Sequence, residues 1–315
     1  MNTKLISVVI PCYNEEINAP LMHQELSLVC EALAHKYDFE FIFVNDGSKD
    51  ATWLRISECA TADPRVHGIS FSRNFGHQNA LEAGLLAARG AAVISIDADF
   101  EQPPALITRL IERWEGGYHV VNTRRVYNDE LEWSGFKRIT SKAFYSLMNA
   151  ISDVPVERGG CDFRLLDRAV VDTLTTIKEA DRFYRGLVNW VGFKNTVVEY
   201  EPAKRRNGVT NYTLAKMVSL AWAGITSFST VPMKGIILLG AATAAAAGLL
   251  LLFMGWVRFF MGSHYFSEMA FLVVSIIAMN GITMIALGVI AMYILRIHKE
   301  VQGRPNYIVQ KTINL

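Results

Sequence analysis

Ala91-Ala92-Val93-Ile94-Ser95-Ile96-Asp97-Ala98-Asp99-Phe100-Glu101-Gln102-Pro103-Pro104 decides how this chain is read. An apolar run reads as a buried strand. It ends in three acids at alternate positions, Asp97, Asp99 and Glu101, and two prolines then stop the pattern. Alternate side chains on an extended strand point to opposite faces, so these carboxylates serve different partners only where the strand is ending. Hard oxygen ligands suit Mg²⁺ or Mn²⁺, ions that keep several waters and share phosphate oxygens. The plainer alternative is an acidic strand end that is merely solvated.

Outward from this stretch, strands and helices alternate over the first ~125 residues. Strands are expected at Leu5–Ile10, Phe39–Asn45, Val66–Phe71, Ala91–Asp97 and His119–Thr123. Helical patterns fall at Ala19–Lys36, Ala51–Ala62 and His77–Arg89. Such alternation predicts an α/β fold with a mostly parallel sheet covered by helices. Ligands bind beyond the carboxyl ends of such strands. Four polar turns converge there: Pro11-Cys12-Tyr13-Asn14-Glu15, Asn45-Asp46-Gly47-Ser48, Ser72-Arg73-Asn74-Phe75-Gly76 and Asp97-Ala98-Asp99. Asn45–Ser48 also reads as an Asx-type turn before a helix, a reading that does not need an acid at Asp46. A second part, Leu131 to Lys204, mixes helices with one or two strands, the last at Thr196–Tyr200.

The 315 residues carry a net charge of +1, which gives no reason to expect a nucleic-acid partner. Four cysteines without a close pair argue against a zinc site and fit a reducing compartment. The mean hydropathy of +0.21 is high for a soluble enzyme, and the cause is local. Gly235–Val257 and Met269–Leu295 are free of charge, and each exceeds the roughly 20 residues that cross a bilayer. Lys and Arg flank this pair on both outer sides, and the connection Arg258–Glu268 carries only Arg258. The positive-inside rule then puts both termini in the cytoplasm. Asn211–Val231, just before the first span, reads as an amphipathic helix in the interface plane. The N-terminus shows no signal-peptide pattern. Four parts are therefore expected: a catalytic domain over 1–208, interfacial helices over 209–232, a two-helix transmembrane part over 233–298 and a cytoplasmic tail over 299–315.

No G-x-G, Walker A lysine loop, H-E-x-x-H or G-x-S-x-G occurs, which removes dehydrogenase, P-loop, zincin and ordinary hydrolase readings. Five motifs stand in order: Val9–Glu16, Asn45–Asp50, Ser72–Gly76, Asp97–Asp99 and Asp162–Arg168. On these the chain resembles glycosyltransferase family 2, and within it the polyprenyl-phosphate glycosyltransferases related to dolichol-phosphate mannose synthase. Gly224–Thr230 and Arg304–Ile308 are similar to segments of the bacterial bactoprenol glucosyltransferases.

The resemblance implies a GT-A fold, a Rossmann-like nucleotide-sugar domain, and inverting transfer from a UDP-sugar to polyprenyl (undecaprenyl) phosphate, glucose favoured. It implies an inner-membrane protein of a bacterium, acting in lipopolysaccharide or O-antigen modification, and a homo-oligomer, a tetramer in relatives. Carried over, Pro11, Tyr13, Glu15, Asp46 and Asp97 hold the nucleotide sugar. Asp99 and Asp97 bind Mg²⁺ or Mn²⁺. Glu101 stands where the family has Gln and becomes a third metal ligand; Ala105 replaces the Glu that follows Pro-Pro. Arg124, Lys137 and Ser141 grip the lipid phosphate. Asp162 and Arg164 match the catalytic loop. A phosphate acceptor is already anionic, so Asp162 is expected to orient acceptor or sugar ahead of abstracting a proton. A processive polysaccharide synthase is the rival enzyme, but its Gln-x-x-Arg-Trp is absent: Leu110 precedes Arg113-Trp114 where Gln is needed. A non-catalytic membrane scaffold with a nucleotide-binding domain is the rival from another class.

Overall fold

The structure is a computed structural model that describes residues 3–126, 160–177, 184–201 and 268–315, with the helical positions Phe253, Trp256 and Phe260. Lys137, Ser141, the span Gly235–Val257 and the interfacial segment therefore lie outside the described residues or nearly so. The chain divides into two compact units, Met1–Ser227 with Pro305–Leu315, and Phe228–Arg304.

The first unit is built on one eight-stranded sheet. Its strands are β1 (Lys4–Cys12), β2 (Tyr37–Asn45), β3 (Val66–Phe71), β4 (Ala92–Ser95), β5 (Val120–Arg125), β6 (Gly160–Asp167), β7 (Asn195–Tyr200) and β8 (Val309–Ile313). Their order across the sheet is β7-β5-β6-β4-β1-β2-β3-β8. β1 pairs in parallel with β2 and β4, and β2 with β3. β6 runs antiparallel to both β4 and β5, and β8 antiparallel to β3.

The centre of β1 and β2 shows no polar alternation because helices cover both faces, so Val8, Val9, Ile10, Phe41, Ile42 and Phe43 are all buried. α1 (Asn18–Glu31) turns Ala19, Met22, Leu26 and Cys30 to the core at helical spacing. α2 (Thr52–Ala62) buries Ile56 and Ala60 in the same way. α3 (His77–Ala87) lies so close to β1 that a Cβ at Gly84 would come within 2.1 Å of Val9 Cγ1. α4 (Ile107–Glu115) and α5 (Arg168–Thr176) flank β6, and Asp167 caps α5 by accepting the Ala169 N–H at 3.0 Å. α6 (Tyr184–Trp190) follows.

Two further strands complete the sheet. Asp162 and Arg164, matched by resemblance to a catalytic loop, lie on β6, buried inside the sheet. Its Asp-Phe-Arg-Leu alternation is the period-two pattern of a strand, with Phe163 and Leu165 buried, but Asp162 and Arg164 are buried as well. The end of the chain, expected as a cytoplasmic tail, supplies edge strand β8.

In the second unit, α7 (Glu268–Gln302) is one helix of 35 residues. Large apolar side chains stand exposed along it, among them Met269, Leu272, Ile276, Met279, Leu287, Ile290 and Ile294. Among the described residues, no helix is long and apolar enough to cross a membrane.

Candidate active site

Because β6 runs antiparallel beside β4, its early residues lie next to the carboxyl end of β4. Ser95 pairs with Arg164, and the Ser95 hydroxyl donates to the carbonyl of Asp162. The pairing brings two sequence-distant motifs to one edge: Asp97–Glu101 leaving β4, and Asp162 with Arg164 entering β6.

The Asp162 carboxylate is buried and lies at the centre of the cluster. Arg185, at the start of α6, grips it with two parallel bonds, Nε to Oδ1 and Nη2 to Oδ2, both 3.0 Å. Arg164 Nη2 adds a bond of 3.2 Å to Oδ1. His77 Nε2 stands 3.4 Å from Oδ2, and Gln78 Nε2 donates to that oxygen at 3.4 Å. Gln78 Oε1 in turn accepts the Tyr184 N–H at 3.1 Å, tying α3 to α6. Burial alone would push the Asp162 carboxyl up; Arg185, the His77 hydrogen bond and Arg164 overcome it and hold the group well below the usual carboxylate range. Such a carboxylate is a weak base and a good anchor.

The His77 imidazole answers the same arrangement. Desolvation works against its charged form, yet the Asp162 hydrogen bond and the charge of Asp97, 3.6 Å away, raise its pKa to about 9. The ring is 41% exposed, so water reaches it and weakens the opposing desolvation. The site thus presents cationic groups around one clamped carboxylate, an arrangement suited to stabilising charge on phosphate oxygens.

The three acids of the opening stretch go three ways. Asp97, part-exposed, accepts from Gln102 Nε2 at 2.7 Å, while Gln102 Oε1 accepts the Asp97 N–H at 3.0 Å. Asp99 accepts the Glu101 N–H at 3.0 Å, closing a turn in which Phe100 takes a positive φ of 61°. Glu101 pairs with Arg125 at 2.7 Å. Among the described residues, no group of three or more His, Cys, Asp or Glu side chains comes together to hold a metal. Asp97 and Asp99 remain as two hard-oxygen donors at the strand end, a set that fits an ion completed by water and phosphate.

The first two turns are stitched to each other. Ser48 Oγ accepts the Asn14 N–H at 2.9 Å, and Asn14 Oδ1 accepts the Lys49 N–H at 3.0 Å. Thr52 Oγ1 accepts the Glu15 N–H at 2.8 Å, and Glu15 Oε2 accepts from Asn18 at 2.6 Å. Pro11, next to last in β1, stands in register with Val44, and Tyr13 just beyond the strand is exposed. Asp46, expected at the nucleoside, accepts the N–H groups of Phe75 at 2.7 Å and Gly76 at 2.9 Å. Burial pushes its carboxyl up, and those two bonds only partly offset that. Gly47 has φ +61°, and a Cβ there would meet Arg73 C at 2.1 Å, so the two loops touch backbone to backbone. Arg124 pairs with Glu199 across β5 and β7. Burial raises the Cys12 thiol well above its ordinary value, with Glu15 and Asp97 adding to it, so no thiolate chemistry is set up there.

His77, Gln78 and Arg185 were missed in the sequence reading. His77 directly follows the Ser72–Gly76 motif, which was a usable signal; Arg185 had none, since its partner lies 23 residues away.

Parallel strands ending in polar turns, with a carboxylate and guanidinium cluster beside paired acids, define an α/β group-transfer site of Rossmann-like type. The profile described as Glycosyl transferase family 2 matches residues 7–175. The chain is 40% identical to the uncharacterized glycosyltransferase YkcC of Bacillus subtilis, over 98% of this chain and 94% of that one. It is 39% identical to the SfII prophage-derived bactoprenol glucosyl transferase of Shigella flexneri, over 98% of each. It is also 39% identical to the prophage bactoprenol glucosyl transferase homolog of Escherichia coli, over 97% and 98%. Glucosyl-3-phosphoglycerate synthase of Mycobacterium tuberculosis superposes with a TM-score of 0.45 at 19% identity, over 70% of this chain and 76% of that one. The chain belongs to glycosyl transferase family 2 and is a glycosyltransferase with a GT-A-like sheet.

Proposed function

We propose that this enzyme moves a sugar, glucose first among candidates, from a UDP-sugar to polyprenyl phosphate at the cytoplasmic face of a bacterial inner membrane. The observation that carries the reading is the end-to-end match to bactoprenol glucosyl transferases, 39% identity over 98% of both chains. The site is consistent with it. The acceptor phosphate attacks the anomeric carbon, the bond to the UDP oxygen breaks, and UDP departs with the electron pair. Since the acceptor is already anionic, no strong base is needed, and a carboxylate held low by Arg185 suits orientation. Arg164 and Arg185 supply positive charge for the phosphate oxygens. Asp97 and Asp99 would hold Mg²⁺ or Mn²⁺, which offsets charge on the leaving diphosphate.

The membrane part of the proposal rests on the two uncharged stretches Gly235–Val257 and Met269–Leu295, the second carried on α7 with apolar side chains exposed. Exposed apolar surface of that extent marks contact with lipid or another chain. Both termini in the cytoplasm, an interfacial helix at 209–232, acceptor contacts from Arg124, Lys137 and Ser141, and a homo-tetramer complete the proposal. The product's place in lipopolysaccharide or O-antigen modification belongs to it as well.

The test is a panel of labelled UDP-sugars offered to the purified protein with undecaprenyl phosphate. Label moving into a solvent-extractable lipid for one sugar, and stopping in excess chelator, is the expected result. Full activity in chelator overturns the metal's part, and a long polymer product favours a processive synthase instead.

A further inference from the structure

The Ser72–Gly76 turn, which delivers His77 and Gln78 to Asp162, is held from two sides. Asp46 takes the Phe75 and Gly76 N–H groups on one side. The end of the chain lies on the other. The Ile308 carbonyl accepts the Ser72 N–H at 3.0 Å. The Tyr307 ring stacks on Phe71, centroids 4.7 Å apart and planes within 19°. Phe71 meets Phe75 edge-on at 5.8 Å. Asn306 Nδ2 donates at 3.1 Å to Glu82, a buried acid on α3, the helix that begins with His77. The β3–β8 register shifts between Ser70 and Phe71, where the turn begins. Regular ladder pairing there gives way to ring stacking. β8 anchors further along through Asn314 Nδ2, which donates to the carbonyls of Ala60 at 3.3 Å and Val66 at 3.0 Å.

We propose that Tyr307 and Asn306 are positioning residues: the segment from Pro305 through β8 fixes the Ser72–Gly76 turn and, through it, the placement of His77 and Gln78 against Asp162. The inference deepens the proposed transfer reaction and rests on it for its kinetic consequence alone. The physical argument is one of rigidity. A catalytic side chain displaced by a fraction of its productive geometry loses rate, while ground-state binding elsewhere in the site is little changed. Phe71 carries the connection, since its ring touches Tyr307 on one side and Phe75 on the other. α7 ends at Gln302 and Tyr307 follows after four residues, so the long apolar helix and this loop support are near neighbours along the chain.

The experiment compares the full chain with Tyr307→Ala, Tyr307→Phe and Asn306→Ala, by amide hydrogen exchange and by steady-state kinetics. In Tyr307→Ala the peptide covering Phe75 and Gly76 should exchange faster while those of β1 and β4 keep their protection. Its kcat should fall about tenfold, with the lipid-phosphate KM within about twofold. Tyr307→Phe keeps the ring and should keep both the protection and the rate; Asn306→Ala should loosen α3 around Glu82 and, with it, the turn that precedes the helix. Unchanged exchange at Phe75 and Gly76 in both alanine variants overturns the proposal. So does exchange that rises evenly across the sheet, the signature of a merely structural strand. A wild-type protein that transfers no sugar refutes the proposed reaction instead, and the exchange result still decides the positioning role.

Discussion

β6 and β8 are the two strands that run against the rest of the sheet, and they use that position in opposite ways. β6 is enclosed between β4 and β5, with Asp162 and Arg164 buried among Phe163, Leu165 and Leu166. β8 sits at the edge on β3, and Val309 to Thr312 are exposed. The buried strand puts charges where water is scarce, so each must find a partner. The edge strand holds its place by backbone pairing and by Tyr307 just before it. An antiparallel strand in the middle of the sheet carries the buried Asp162 and Arg164; one at the border pairs with β3, beside the Ser72–Gly76 turn.

The hardest way to break this comparison is Asp162→Ala. It leaves buried Arg164 and half-buried Arg185 without their shared counter-charge, and we expect a loss of about 3–5 kcal/mol in denaturant unfolding, with transfer activity abolished. Asp162→Asn sharpens the same point through pH. The folded carboxyl titrates below its unfolded value, near 4, so its contribution to stability is full above that value and fades as pH falls through the folded one. Acid unfolding of Asp162→Asn should therefore show a shallower dependence below about pH 4 than wild type. Next in size, Arg185→Lys replaces a two-pronged grip by a point charge, and kcat should drop by about 10- to 100-fold with the fold retained. Glu101→Gln removes the ion pair with Arg125, for a cost of about 1 kcal/mol in thermal unfolding. If Glu101 is also a third metal ligand, the preference between Mg²⁺ and Mn²⁺ should change with it; an unchanged preference would remove Glu101 from the metal. Lys311→Ala on β8 should change stability by less than about 0.5 kcal/mol, as expected for an exposed edge position.

These contrasts also mark what the sequence made visible. The parallel core was legible because its strands are continuous apolar runs ended by polar turns, as at Val8–Cys12 and Ala92–Ser95. The convergence of four turns followed from strand direction alone. β6 was hidden because its polar residues, which on a surface strand would face water, are compensated by Arg185, His77 and Gln78, none of them adjacent in sequence. β8 was hidden because Val-Gln-Lys-Thr-Ile carries little apolar weight and gains its place from Phe71 and Ser72, far back in the chain. At Asp46 the sequence shows an acid in a motif but not that its oxygens accept the Phe75 and Gly76 N–H groups of the neighbouring loop. The ion pair of Glu101 was equally invisible, since Arg125 lies at the end of β5, far along the chain.

The central claim is tested most directly by transfer from a labelled UDP-sugar to undecaprenyl phosphate in parallel reactions of wild type, Asp162→Asn and Lys311→Ala. Labelled lipid formed by wild type and Lys311→Ala but lost in Asp162→Asn is the predicted result. No labelled lipid from any UDP-sugar, or undiminished transfer by Asp162→Asn, would contradict it.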